Sequence, residues 1–283
     1  MPNATPTQRD RRPVLFVTVG RQRVGKTTLE NLVIQALRER GANLQIWNAD
    51  QLNVTYSLSL FHPDVLHPPS TDFEDVKAWL EERIQDQMEG HYDALLDVGG
   101  GETALSRLVQ EIPIVQTMES HGIRVVLVHV IGPEQADVDY LQHFMRHELF
   151  TPEATLIVLN GGLVLSGRSI SNAFADMFEH PVIAEAESKG AVVAIMPALS
   201  CMSKVTDRGL TFLEAAEGTT KGKHTRLSFF DQERVSIWWR KAVPAFLATI
   251  PAHWLPAISG EPFAPLVAEP TKNEEALEEV AHD

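Results

Sequence analysis

Residues 14–28 read Val14-Leu15-Phe16-Val17-Thr18-Val19-Gly20-Arg21-Gln22-Arg23-Val24-Gly25-Lys26-Thr27-Thr28. The first six form a β-branched and aromatic run, as expected of a strand buried on both faces. The next eight satisfy GxxxxGK[ST], and apolar residues then return at helical spacing: Leu29, Leu32, Val33, Ala36 and Leu37. Strand, glycine-bearing loop and helix, in that order, are the context in which this pattern holds phosphate. Glycines let main-chain N–H groups turn toward phosphate oxygens, and the helix start adds the positive end of its dipole. Candidate phosphate contacts are therefore Gly20, Arg23, Val24, Gly25, Lys26, Thr27 and Thr28. Lys26 is expected to reach the β and γ phosphates of ATP, and Thr27 to ligate Mg2+.

The strand–helix alternation recurs along the chain. Strands are expected at Leu44 to Trp47, Tyr92 to Asp97, Ile123 to Ile131, Thr155 to Asn160 and Ala191 to Met196, with helices at Thr71 to Met88 and Pro133 to Leu149. Apolar strands separated by helices imply a doubly wound, mostly parallel α/β sheet in one domain. That domain is expected over residues 13–250, with a disordered polar arm at 1–12 and an acidic, disordered tail at 251–283. Asp97 ends its strand and precedes Val98-Gly99-Gly100-Gly101, so it stands where a parallel sheet binds its ligand. It is assigned to Mg2+ through water, with Gly99 and Gly100 admitting the γ-phosphate. Asp50 follows the second strand on the same edge, where a turn-forming role and a metal or water-positioning role are both open.

Composition limits the function classes. The 283 residues carry 24 Lys and Arg against 38 Asp and Glu, a net charge of −14, with one cysteine and 44% hydrophobic side chains. A lone Cys201 forms no internal disulfide and supports no cysteine-rich metal site. No apolar run approaches the roughly 18–20 residues of a membrane span, and the N-terminus lacks a signal-like apolar segment, so a cytoplasmic protein is expected. The negative total is a sum over unlike segments. Residues 261–283 hold seven acids and one lysine, whereas Gly218 to Val243 holds six cations and two acids.

Ser228 to Thr249 reads as an amphipathic helix with Ser228 as cap, Asp231 at the capping-box position, and Phe229, Phe230, Val235, Trp238, Trp239 and Phe246 as a stripe that packs on the sheet domain, with a self-association surface as the alternative. His143 and His147 share a spacing that can hold zinc, but no third ligand is evident. Cys201 has no basic neighbour closer than Lys204 and reads as an inert thiol.

These motifs together carry a resemblance. The phosphate loop, Asn48-Ala49-Asp50 with Asn53-Val54-Thr55, Asp97-Val98-Gly99-Gly100, Ile131-Gly132-Pro133-Glu134, Val158-Leu159-Asn160 and Ile195-Met196-Pro197 stand in the order of the ParA/MinD family of P-loop ATPases. Within it the chain looks most like the plasmid-encoded branch of TraL and StbB type. The resemblance implies an ATP-driven homodimer, stimulated by a partner protein, that acts in plasmid partition, stability or conjugative transfer. It implies that Asp50 positions the attacking water, that the Asp97 segment is a second switch, and that Asn160 and Pro197 border the adenine. It also implies non-specific DNA binding through C-terminal basic residues, with Lys221, Lys223 and Arg226 as candidates. A membrane-targeting C-terminal helix is disfavoured by the acidic final segment. One departure stands out: the family's signature lysine is Arg21 here, and the two glycines after it are Gln22 and Arg23. Arg21 keeps the charge and has the planar fork to act across a dimer, and Arg23 is the alternative for the same role. Two other readings share the scaffold: a small-molecule kinase or ligase resembling dethiobiotin synthetase, and a nucleotide-gated interaction protein with little hydrolysis.

Overall fold

The computed structural model describes residues 11–50, 57–98, 103–146 and 150–265. Six strands, β1 (Val14–Val19), β2 (Leu44–Asn48), β3 (Asp93–Asp97), β4 (Arg124–Ile131), β5 (Ala154–Asn160) and β6 (Val192–Met196), form one sheet in the order β2-β3-β1-β4-β5-β6. Every pairing is parallel. This is the doubly wound α/β fold read from the sequence.

Side-chain alternation divides the core. Val14 and Phe16 of β1, with Val126, Val128 and Val130 of β4, face α1 (Lys26–Glu39) and the C-terminal helical region. Leu15, Val17 and Val19, with Val125 and Leu127, face the opposite layer of α2 (Phe73–Gly90), α3 (Thr103–Glu111) and α4 (Ile114–Ser120). Beside it, α5 (Gln135–Arg146) packs with Pro181–Ser188 under β5. Parallel strands covered on both faces must be apolar on both, which explains the unbroken runs.

Helix α1 is less apolar than its position demands. Glu30, Asn31 and Gln35 are buried on it. Asn31 Oδ1 accepts from Gln35 Nε2 at 2.7 Å and meets His62 Nε2 at 2.9 Å, while Gln35 Oε1 accepts from the Phe212 amide at 2.8 Å. Burial, then the Arg38 charge, lowers the His62 pKa from 6.5 to about 4.

The C-terminal region differs from one regular helix. Phe229–Ile237 is α-helical, Trp238–Ala242 is a π turn, and Val243–Leu247 resumes the α form. The wider turn sends consecutive Trp238 and Trp239 inward, with ring centroids 5.0 and 5.1 Å from Phe212. Trp239 Nε1 donates to Glu39 Oε2 at 3.0 Å, and Trp238 Nε1 to the Pro197 carbonyl at 3.0 Å. Phe229 and Phe230 do not join the expected packed stripe; both are 78% exposed. Ser228 caps the helix by accepting from the Asp231 amide, but the Asp231 carboxylate pairs with Lys204 and Arg234.

Packing also continues past residue 250, where the sequence reading ends the domain. Trp254 and Leu255 are buried, and the Ala257 amide donates to Asp93 Oδ2 at 2.7 Å. Residues 1–10 and 266–283, most of the expected arm and tail, lie outside the described residues. Among the described residues no helix is long and apolar enough to cross a membrane.

His129 of β4 is buried, edge-on to Phe144 at 4.9 Å, and its Nδ1 has no partner. Burial lowers its pKa from 6.5 to about 3. The folded chain therefore keeps it neutral while the unfolded chain protonates near 6.5, so its contribution is intact above that pH and declines as pH falls toward about 3. His129→Leu is expected to remove part of this decline. Urea unfolding at pH 7 and pH 4.5 should show the wild type losing about 2 kcal/mol more than the variant; equal losses would contradict it.

Candidate functional site

The loop after β1 occupies the switch point of the sheet, between crossovers that leave in opposite directions toward β2 and β4, at the carboxyl ends of the strands. Its glycines are required by contact. Gly20 has φ +148°, and a Cβ there would stand 2.5 Å from the Val130 carbonyl oxygen. Gly25 has φ +96°, and a Cβ would stand 2.3 Å from Asn160 Nδ2. Arg23, where the resembled family has glycine, keeps the left-handed form at φ +66°. Holding a side chain there costs about 1–2 kcal/mol.

Lys26 opens α1 and is buried; its Nζ donates to the Gly20 carbonyl at 2.9 Å and the Arg21 carbonyl at 3.2 Å, which holds the ammonium against the loop. Thr27 and Thr28 follow in the first turn, both half-buried. Val24 is buried, and its carbonyl accepts from Asn160 Nδ2 at 2.7 Å. Asn160 Oδ1 accepts from the Gly162 amide at 2.9 Å. The Asn160 amide thus ties the loop to the end of β5, a structural use beyond the adenine contact implied by resemblance. Pro197 lies after β6 on the same edge, its carbonyl bound by Trp238.

Strand register gathers the acids. Thr18, Asp97 and Asn48 are paired neighbours across β1, β3 and β2. Asp97 is buried, and Asp50 is half-buried two residues past Asn48, its amide donating to Asn48 Oδ1 at 2.8 Å. Gly99 and Gly100 lie outside the described residues, as do Asn53 to Thr55.

Glu30 was not among the residues read from the motif. It is fully buried one turn beyond Lys26, with one carboxyl oxygen accepting from Thr18 Oγ1 and the carboxyl group hydrogen-bonded with Asp97. Burial and the Asp97 charge beside it push its pKa well above the usual carboxylate range. The sequence signal was available: Glu30 stands within the inward-facing run of Leu29, Leu32 and Val33, where an acid is out of place. Asp97 and the hydroxyl of Thr27, next in the chain to Lys26, are hard oxygen donors of the kind that suits a divalent cation carrying phosphate, because Mg2+ takes few protein carboxylates and keeps water. Among the described residues no group of three or more His, Cys, Asp or Glu forms a metal site of its own.

Arg21 is held within its own chain. Its Nη1 donates to Asp137 Oδ1 at 2.8 Å and to Glu134 Oε2 at 3.2 Å, and these bonds, Asp137 first, raise its pKa above the ordinary value. Of the basic-loop candidates, Lys221 pairs with Glu214 at 2.7 Å, Arg226 lies 5.7 Å over the Phe229 ring, and Lys223 is exposed. His147 lies outside the described residues. Cys201 is buried, and burial raises its thiol pKa.

Fold and loop define a single α/β domain with a phosphate-loop sequence at the centre of a parallel sheet. No protein-family model matches the chain, and no curated protein sequence matches it. Among solved structures it is similar to the MinD cell division protein of Aquifex aeolicus, at 17% identity and a TM-score of 0.43 over 81% of this chain and 95% of that one. It is also similar to MinD of Pyrococcus horikoshii complexed with Mg-ADP, at 18% identity and a TM-score of 0.40 over 70% and 86% of the two chains. The cell division protein FtsY of Thermotoga maritima is similar at 14% identity and a TM-score of 0.41, over 80% and 68%.

The backbone contact at Gly20 yields a controlled comparison. Gly190 also has positive φ, but a Cβ there would meet nothing within 4 Å. Gly20→Ala should destabilise the fold by about 1–3 kcal/mol more than Gly190→Ala in urea unfolding, since only the former must displace main chain.

Proposed function

We propose that the chain is a Mg·ATP-dependent switch ATPase of ParA/MinD type that dimerises on ATP and acts in plasmid DNA partition, stability or conjugative transfer in the cytoplasm. The observation that carries the phosphate chemistry is the convergence of a buried Lys26 on the central loop with Asp97 on the adjacent strand end. In this reading Lys26 and the loop, Gly20 to Gly25, hold the β and γ phosphates. Thr27 and Asp97 hold the cation, which when bound neutralises phosphate charge. Asp50 orients the attacking water, Gly99 and Gly100 close on the γ-phosphate, and Asn160 and Pro197 flank the base. Catalysis is then positioning plus charge stabilisation. An activating partner protein and non-specific DNA, the latter through Lys221, Lys223 and Arg226, complete the cycle.

One observation favours a second reading. Arg21, proposed to act across the dimer, is ion-paired with Asp137 and Glu134 of its own chain. A chain whose arginine stays there binds nucleotide and gates an interaction with little hydrolysis of its own.

Phosphate release and solution mass separate the readings. Lys26→Ala is expected to lose nucleotide binding, and Asp50→Ala to bind ATP and remain a trapped dimer. Wild type trapped as firmly as Asp50→Ala would favour the gated interaction protein, and a mass indifferent to nucleotide in both would sink the switch. Asp137→Asn is expected to raise basal turnover several-fold by freeing Arg21, and the gain should vanish in the Arg21→Ala background. No gain would remove Arg21 from the mechanism.

A further inference from the structure

The amino ends of the strands, opposite the phosphate loop, carry a second arrangement. The chain after the C-terminal helix folds back here and is fixed at several points. Asp93 accepts from the Val14 and Ala257 amides at 2.7 Å each, Arg124 Nη1 donates to the His253 carbonyl at 2.7 Å, and the Arg40 carbonyl accepts from the Ser259 and Gly260 amides. Between this segment, the end of α1 and the last helical turn lies a cavity of about 380 Å³. Leu37, Leu247, Ile250, Leu255 and Phe263 give it apolar walls. The Arg40 guanidinium, 4.1 Å over the Phe263 ring, holds one of them. The volume lies within the roughly 300–1,000 Å³ of small-molecule pockets, and the lining is of their kind, apolar with few polar groups.

Arg11 is the one charged residue among the described residues that line it. Its Nε and Nη2 are buried and have no hydrogen-bond partner. Buried guanidinium donors without acceptors are uncommon, and each calls for an explanation. The acid that acts on Arg11, Asp93, gives one oxygen to each of two main-chain amides. The other charges at this corner are mainly positive: Arg11 and Arg12 act on Arg124, and all three act on His253, with Glu119 and Glu153 opposing them at Arg124. Nε and Nη2 are moreover the edge of the guanidinium that meets a carboxylate or phosphate through two parallel bonds.

We propose that this cavity binds a small amphipathic anion, a carboxylate or phosphate monoester with one apolar chain, toward whose head the sealed Arg11 guanidinium turns its Nε and Nη2 while the chain lies against Leu247, Ile250 and Phe263. The site stands apart from the phosphate loop and does not depend on the reading of that loop. Its ligand would touch the far end of α1, the helix that begins at Lys26.

Calorimetric titration of the full chain with decanoate, decyl phosphate and decanol tests the proposal. Decanoate or decyl phosphate should bind saturably at one site, at least about tenfold tighter than decanol; which of the two binds better separates carboxylate from phosphate sources. Arg11→Met should weaken anion binding about tenfold or more, and Ala248→Leu, which projects into the cavity, should abolish it and raise the melting temperature. Neither variant touches the phosphate loop, and an unchanged far-ultraviolet circular dichroism spectrum with a cooperative thermal transition serves as the folding control. Absence of saturable binding by either anion at about 1 mM, equal binding of decanol, or binding indifferent to both variants would overturn the site.

Discussion

The constraint on which the rest of the molecule depends is the position of β1. All six of its residues are buried, it pairs on both edges, with β3 and β4, and both of its faces are covered. A strand so enclosed has no solvent to satisfy a stray polar group, so only a β-branched and aromatic run fits, and only a loop at its end escapes burial. The phosphate-loop sequence is that escape. Its neighbours are then determined by the ladder: Asp97 on one side by register with Thr18, and the Val130 carbonyl on the other, against Gly20.

Within the loop, conformational freedom is distributed unevenly. Gly20 and Gly25 are glycines because backbone and amide atoms occupy the space a side chain needs, whereas Arg23 takes a left-handed conformation without being forced to lack a Cβ. The Asn160 bond to the Val24 carbonyl stiffens the same turn from 136 residues away. A loop that departs from the glycine-rich pattern is thus held in shape by tertiary contacts instead of by local permissiveness.

How much of this was legible follows from the range of each interaction. The five strands after β1 and helices α1, α2 and α5 were visible as apolar runs and helical spacing, which are local signals. Helices α3 and α4, and the short turns between Ile170 and Phe178, were not, because four to nine residues carry too little periodicity. The site divides in the same way. Lys26, Thr27 and Asp97 follow from motif and strand end. The Arg21 pairs with Glu134 and Asp137, 113 and 116 residues distant, do not, because sequence spacing contains no register between β1 and α5. Nor does the exposure of Phe229 and Phe230: a stripe drawn at 3.6 residues per turn assumes one helix, and the chain changes pitch at Trp238.

That change of pitch has an evolutionary dimension. A π turn is equivalent to one residue inserted into an α-helix, held because the two tryptophans around Phe212 are worth more inside than a regular ladder. Loss of one residue from Trp238–Ala242 would restore ideal helical hydrogen bonding and leave Val243, Phe246 and Leu247 facing the core, because the five residues of the wider turn advance the helix about as far as four in the α form; what it would remove is the inward aim of one of the two tryptophans. The tryptophan pair is therefore under tighter selection than the length of the segment that presents it. Single-residue deletions here should be found among descendants of this chain chiefly where one of the two tryptophans has already been replaced.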